Sequence, residues 1–98
     1  MTEKIIVHVD PEIKGLVGSY LGNRKKDIAM IKQYIEYGRF EDIRMAGHKM
    51  KGGGELYGFK EITRLGRLIE QGAENKDMKM IRGALSLLED YMNRIEVN

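Results

Sequence analysis

A chain of 98 residues is long enough for one domain with a single modest hydrophobic core, and we expect one domain over residues 1–98. Its 17 lysine and arginine residues nearly balance its 15 acidic residues, and a net charge of +2 argues against a strong nucleic-acid binder. The lack of cysteine excludes disulfides and thiolate metal sites, and no apolar run approaches the ~20 residues of a membrane helix, so we expect a soluble, cytoplasmic protein without membrane contact.

The N-terminal segment KIIVHV, residues 4–9, is rich in β-branched residues and predicts an extended stretch. Because no second strand is predicted elsewhere, we expect residues 1–9 to form an extended arm that packs on the helices. Asp10 followed by Pro11 is typical of a helix start, with an acidic N-cap and proline at the first helical position. Apolar residues then recur at helical spacing to about residue 21, which predicts a short first helix.

Four longer helices are predicted after this short one. They run from about Arg24 to Tyr37, from about Phe40 through residues 47–58, from about Lys60 to Ala73, and from an Asp77 cap to about residue 96. Short connections between long amphipathic helices favour antiparallel neighbours. The predicted fold is therefore all-α: an antiparallel up-down four-helix bundle over residues 10–96, with a short additional N-terminal helix and an extended arm.

His48 is predicted to point away from the core on the third of these helices. At 100° per residue, the side opposite the imidazole is apolar or small, and it consists of Ile43, Gly47, Met50, Gly54 and Tyr57. Arg44, Lys51 and Glu55 fall on one flank of His48, and Met45 and Gly52 fall on the other. Gly52 comes one turn after the histidine, so its missing side chain is expected to leave a notch beside the ring.

An exposed histidine on a helix most often has no function, but this one has a lysine one turn away and an open flank. A neutral imidazole is a competent nucleophile near pH 7, and a nearby cation suits an anionic electrophile such as a phosphoryl group. The only other histidine, His8, is far away in sequence, so a histidine metal site is not expected. We assign no function to His8.

Three features of the sequence resemble the signature of the histidine-containing phosphotransfer (HPt) domain of bacterial two-component phosphorelays. They are HKMKG at residues 48–52, Gly58 ten residues after the histidine, and LGRLIE at residues 65–70. The family pattern is His-x-aliphatic-Lys-Gly, a later glycine, and a following helix with a Leu/Ile-Glu pair. Met50 takes the aliphatic place, and the resemblance extends over about residues 11–95.

The resemblance implies that His48 accepts the phosphoryl group through Nε2, that Lys51 stabilises it, and that Gly52 provides access. It implies that Gly58 forms the turn between two helices. Such a domain is a carrier rather than an enzyme, and the partner receiver supplies the aspartate and the Mg²⁺, so we expect no cofactor on this chain. The implied partners are a receiver domain, a hybrid sensor histidine kinase, or both, and the implied state is a monomer.

Docking of such a partner is expected to use an apolar centre with a charged rim. Around His48 the access and docking residues are expected to be Gly52, Arg44, Met45 and Glu55. The apolar patch is expected to include Met45, Leu56, Leu16 and Tyr20. The glycine-rich stretch GGGE at residues 52–55 departs from the small and hydroxyl residues that are common there in the family.

Three other functions are alternatives to the phosphocarrier. One is a helical-bundle interaction module that docks a partner without carrying phosphate, although such modules typically lose the histidine that this chain keeps. A second is the dimerisation domain of a sensor histidine kinase, which usually has an acidic residue directly after its histidine, where this chain has Lys49. The third is a small nucleic-acid-binding protein, which the near-zero charge disfavours.

Overall fold

The computed structural model describes residues 3–98, and within this range it contains four helices and two short strands. In chain order these are β1 (Ile5–Val7), α1 (Lys14–Glu36), α2 (Phe40–Gly53), α3 (Lys60–Glu74), α4 (Met78–Arg94) and β2 (Ile95–Val97). The prediction of a mostly helical, four-helix protein is confirmed. The predicted Asp77 cap is confirmed, since Asp77 Oδ1 accepts a hydrogen bond from Met80 N at 3.0 Å, and Gly38 ends the first long helix with a φ of +63°.

The prediction of two helices before residue 37 is wrong, because residues 14–36 form one continuous helix. Its buried positions keep one uninterrupted spacing of three and four residues, and they are Val17, Tyr20, Arg24, Ile28, Ile31 and Ile35. A glycine inside a helix costs about 0.5–1 kcal/mol, and the continuous buried face offsets that cost at Gly22. The helix also begins later than predicted: Asp10 instead forms a turn, in which its Oδ1 and O atoms accept from Glu12 N and Ile13 N.

The prediction of an unpaired N-terminal arm is also wrong for the residues that the structure describes. Strand β1 pairs in parallel with β2, with Ile5 opposite Ile95 and Val7 opposite Val97. Helix α4 therefore ends at Arg94, and the bundle does not extend to residue 96 as predicted. Both strands alternate half-buried β-branched residues with an exposed residue, which explains why residues 95–97 leave the helix. Residues 1 and 2 of the predicted arm lie outside the described range.

Helices α2 and α3 pack unusually closely, because glycines stand where they cross. A Cβ atom on Gly47 would lie 2.7 Å from Glu70 N and 2.8 Å from Gly66 O, and a Cβ atom on Gly66 would lie 2.8 Å from Lys51 N. Further along, Gly54 faces Thr63. Later residues of α2 contact earlier residues of α3, so this pair of helices runs in opposite directions.

The core lies between the four helices and consists mainly of aliphatic residues. Its fully buried side chains are Ile31, Ile43, Met50, Phe59, Ile62, Leu65, Ile69, Ile81 and Leu88. Within residues 3–98, no helix combines the length and the apolar character that crossing a bilayer requires.

Candidate functional site

His48 lies on the outer face of α2, and 65% of its side chain is exposed to solvent. The opposite face of the same helix is buried through Ile43, Gly47 and Met50. The helical period of α2 therefore places the imidazole outside the bundle, and the prediction of an exposed ring is confirmed.

Glu70 of α3 connects His48 with Lys51, and the sequence had given it no role. Its Oε2 atom lies 2.7 Å from His48 Nδ1, and its Oε1 atom accepts a hydrogen bond from Lys51 Nζ at 2.7 Å. The carboxylate is largely buried between the two helices, with only 9% of the Glu70 side chain exposed, whereas Lys51 is 32% exposed. Glu70 is thus a buried anion that holds the outward histidine and the lysine beside it.

The hydrogen bond from Lys51 is the main reason that the pKa of Glu70 falls below its usual value of 4.5, and the hydrogen bond with His48 lowers it further. Glu70 is therefore ionised at neutral pH, and an ionised carboxylate can only accept hydrogen bonds. The proton on the neutral imidazole must then be on Nδ1, because that nitrogen contacts the carboxylate. This arrangement leaves the lone pair on Nε2, the nitrogen that a reaction partner would meet.

The glycines at the helix crossing bring Glu70 to His48. Glu70 N lies against Gly47, the residue directly before the histidine, at a distance that no β-carbon would permit. A larger residue at either crossing position would separate the helices and lengthen both 2.7 Å contacts. The sequence pointed to Glu70 only as the last residue of LGRLIE. Its contact with His48 depends on how α2 packs against α3, which the sequence does not reveal.

The four residues predicted to provide access and docking have different surroundings. Gly52 is exposed, and a β-carbon there would have no neighbour within 4 Å, so the space beside it is open. Met45 is exposed by 57%. Arg44 donates two hydrogen bonds to Glu41, at 2.6 and 3.0 Å, so its charge already has a partner. Glu55 is exposed but lies beyond the helix, because α2 ends at Gly53 and residues 54–58 form a turn.

The predicted apolar patch is partly exposed and partly core. Leu56 and Leu16 are exposed by 73% and 56%, as a docking residue must be. Tyr20 is a core residue instead, since only 6% of it is exposed. Its ring stacks on Tyr57 and Phe59, with centroids 4.5 and 5.7 Å apart. The aromatic stack stabilises the junction between α1 and the turn after α2.

A groove of about 310 Å³ between α1 and α2 opens next to the histidine, on the side away from Glu70. Met30, Tyr34 and Met45 supply apolar lining, and its charged lining residues are Asp27, Asp42 and Lys49. Met30 is exposed by 43%, so a second methionine is available beside Met45. The exposure of Met30 was not predicted, because its position beside the isoleucines of α1 is compatible with the core.

The second glycine-rich feature of the site is the turn after α2. Gly58 has a φ of +88°, which side chains with a β-carbon rarely adopt, and its N–H donates to Glu55 O at 3.1 Å. Gly54 O accepts a hydrogen bond from Phe59 N at 2.7 Å. The prediction that Gly58 forms the turn between two helices is therefore confirmed.

His8 follows β1, and its backbone O atom would lie 3.7 Å from a β-carbon on Gly58. It is exposed, and its Nδ1 atom is 3.3 Å from Asn98 Nδ2, so it belongs to the junction of the two strands. Within residues 3–98, no three acidic, histidine or cysteine side chains come close enough together to hold a metal ion. No protein-family model matches the chain, and neither the curated proteins nor the solved structures include a match.

Proposed function

We propose that this protein is a histidine phosphocarrier of a two-component phosphorelay, which accepts a phosphoryl group on His48 and donates it again. The donor and acceptor would be the aspartate of receiver domains. The observation that supports this most directly is the exposed imidazole whose Nδ1 atom contacts the buried Glu70 carboxylate. The carboxylate holds the proton on Nδ1 and orients the ring, which leaves Nε2 available as a nucleophile.

In the proposed transfer, the Nε2 lone pair of His48 attacks the phosphorus of an aspartyl phosphate. The N–P bond forms as the P–O bond to the aspartate breaks, and the aspartate leaves as a carboxylate. The proton stays on Nδ1, so the phosphorylated ring becomes a cation. Glu70 stabilises this developing positive charge because it is ionised and hydrogen-bonded to Nδ1. Lys51, which lies beside Glu70, faces the phosphoryl oxygens.

The chain is proposed to act without a cofactor of its own and not as an enzyme. The partner would supply the Mg²⁺, the aspartate and most of the electrostatic stabilisation. Receiver domains and hybrid sensor histidine kinases are the partners we propose, with no nucleic acid or membrane, for a monomeric protein in the cytoplasm. The up-down antiparallel arrangement predicted for all four helices is part of the same proposal.

The proposed docking surface surrounds the histidine. Met45 and the open flank at Gly52 would lie closest to the partner, with Leu56 and Leu16 at the end of the bundle. Arg44, already paired with Glu41, would contribute to the charged rim rather than to the phosphoryl group, and Glu55 would be in the neighbouring turn. Tyr20 is not part of the proposed surface because it is buried.

The proposal can be tested by incubating the protein with a radiolabelled phosphorylated receiver domain. We expect label on the protein that is acid-labile and base-stable, as phosphohistidine is. His48→Gln should abolish the label, and His8→Gln is the matched control that should keep it. Label that persists in His48→Gln would assign the acceptor to another residue. If the wild-type protein binds the receiver but is never labelled, the chain is an interaction module that does not carry phosphate.

A further inference from the structure

Phosphorylation of His48 would upset the charge balance of the site. Before phosphorylation, the charge of Lys51 is balanced by Glu70 and the charge of Arg44 is balanced by Glu41. A phosphoryl group adds a charge of about −1.5 to −2 at neutral pH. The phosphorylated ring carries one positive charge, and the charge of Lys51 is shared with the buried Glu70, so the site keeps an excess of negative charge that a further cation without a carboxylate partner would compensate.

Arg67 on α3 is such a cation. Five of the seven arginines of the chain form ion pairs with a carboxylate, and they are Arg24, Arg39, Arg44, Arg64 and Arg94. Among residues 3–98, Arg67 and Arg82 have no carboxylate oxygen within 4.0 Å. Arg67 is also exposed, so its guanidinium is accessible to an anion.

The packing of α2 against α3 puts Arg67 on the histidine side of the site. Arg67 precedes Glu70 by three residues, and residues three apart share one flank of a helix, with Cβ atoms about 5–6 Å apart. Glu70 marks the flank that contacts His48. Gly66, the residue before Arg67, lies against the backbone of Lys51. Arg67 therefore lies level with Lys51 of α2, just as Glu70 lies level with His48.

Arg44 supports the same register of the two helices. Its pKa is raised first by its hydrogen bonds with Glu41, and the carboxylates of Glu70 and Glu74 add smaller contributions. Arg44 precedes His48 by one turn on α2, and Glu74 follows Glu70 by one turn on α3. The pairs Arg44 with Glu74, His48 with Glu70, and Lys51 with Arg67 therefore follow one another along the crossing.

We propose that Arg67 is the second cation that binds the phosphoryl group on His48, which rests on the phosphocarrier function proposed above. A planar guanidinium can donate two parallel hydrogen bonds to phosphoryl oxygens, whereas an ammonium acts as a point charge. Lys51 can then keep its bond to the buried Glu70, and the arginine compensates the added charge. Lys49 does not serve this role, because it lines the groove between α1 and α2 on the opposite flank.

The test uses potassium phosphoramidate, a small phosphoryl donor that needs no partner protein. His48 Nε2 attacks its phosphorus, the P–N bond of the donor breaks, and ammonia leaves. The phosphorylated protein is then titrated with acid while the ³¹P resonance of the phosphohistidine is followed. A nearby cation favours the dianionic phosphoryl group and so lowers the midpoint of this titration.

We expect Arg67→Gln to raise the titration midpoint by about 0.2–0.7 pH unit, the range that a partly exposed ion pair supports. Arg67→Lys should recover part of this shift, since it keeps the charge but not the fork geometry. Two controls remove a cation elsewhere: Arg82→Gln removes the other unpaired arginine on α4, and Lys49→Gln removes the charge directly after His48. Both should shift the midpoint less, and thermal unfolding should be unchanged in all four variants.

The outcomes separate this inference from the function on which it rests. If the wild-type protein shows no phosphohistidine ³¹P resonance, or if its resonance persists in His48→Gln, the phosphocarrier proposal fails and the role of Arg67 fails with it. If wild-type protein gives the resonance but Arg67→Gln titrates like Lys49→Gln, only the role of Arg67 is refuted. A larger shift in Arg67→Gln than in either control supports it.

Discussion

Replacing Gly47 with alanine should damage both the stability of the protein and its site, although alanine is the better helix former. A β-carbon at this position would lie 2.7 Å from Glu70 N and 2.8 Å from Gly66 O. Both neighbours are backbone atoms of α3, which cannot turn aside as a flexible side chain can. The substitution therefore forces α3 away from α2 at the point where Glu70 meets His48.

The expected size of the effect follows from these distances. Ordinary contact begins at 3.4 Å, so α3 must withdraw by about 0.7 Å. Overpacking of this kind typically costs 1–3 kcal/mol, and we expect the upper part of that range because the neighbours are backbone. The higher helix propensity of alanine offsets about 0.8–1 kcal/mol of this cost. The net loss should be about 1–2 kcal/mol, and the contacts of Glu70 with His48 and Lys51 should lengthen from 2.7 Å to beyond good hydrogen-bond distance.

Gly52→Ala is the matched control, five residues further along the same helix. Its β-carbon has no neighbour within 4 Å, so it should gain about 0.5 kcal/mol from helix propensity alone. The two variants should then differ by about 2 kcal/mol, or roughly 10 °C in Tm for a domain of this size. Thermal and urea unfolding followed by circular dichroism measure the difference, and phosphorylation by phosphoramidate should be slower in Gly47→Ala only. Equal stability of the two variants would refute the close crossing of α2 and α3.

Three further predictions concern single positions. Glu70→Gln should lower the free energy of unfolding by about 1.5–3 kcal/mol at pH 7. Because the pKa of Glu70 is lowered in the folded state, its ionised carboxylate stabilises the protein above pH 4.5, and the difference in unfolding free energy between wild type and variant should narrow below pH 4.5 and vanish in acid. A difference that does not change with pH in urea titrations would contradict the ionised carboxylate. Gly52→Leu should slow phosphoryl transfer from a receiver without lowering Tm, because a long side chain there screens the His48 ring; an unchanged transfer rate in a rapid-quench assay would refute the open notch. Gly58→Ala should cost about 1–2 kcal/mol through its φ of +88°, and a Tm equal to that of wild type would show that the turn adapts.

Helices α3 and α4 were largely predictable because local signals agree with one another there. The prediction for α2 was wrong at its end, because the helix stops at Gly53 and residues 54–58 form a turn in which Gly58 has a positive φ. The Asp77 cap and the regular apolar spacing in α3 and α4 are properties of neighbouring residues, and packing did not override them. The strand pairing was not predictable in the same way. Three residues at one end of the chain pair with three residues at the other end, and neither segment is long enough to predict a strand by itself.

The candidate site shows the same division between local and distant information. The outward direction of His48 and the position of Lys51 follow from the period of one helix. The contact of Glu70 requires the register between two helices, and that register depends on Gly47 and Gly66, which meet only in the folded protein. A helical wheel of α2 alone has no means of showing which residue of α3 fills the space beside the imidazole.

The three consecutive glycines at the end of α2 illustrate why this register is needed, because each has a different environment. Gly52 faces solvent, with no neighbour within 4 Å of a β-carbon. At Gly53 a β-carbon would come within 3.3 Å of the Tyr20 ring, and at Gly54 it would come within 2.7 Å of Phe59 O. Two of the glycines therefore let α1 and α3 close around the end of α2, and that closure fixes the helix carrying His48. Only the first lies on the surface that a partner would approach, so substitutions at the three positions should separate access to the histidine from the stability of its helix.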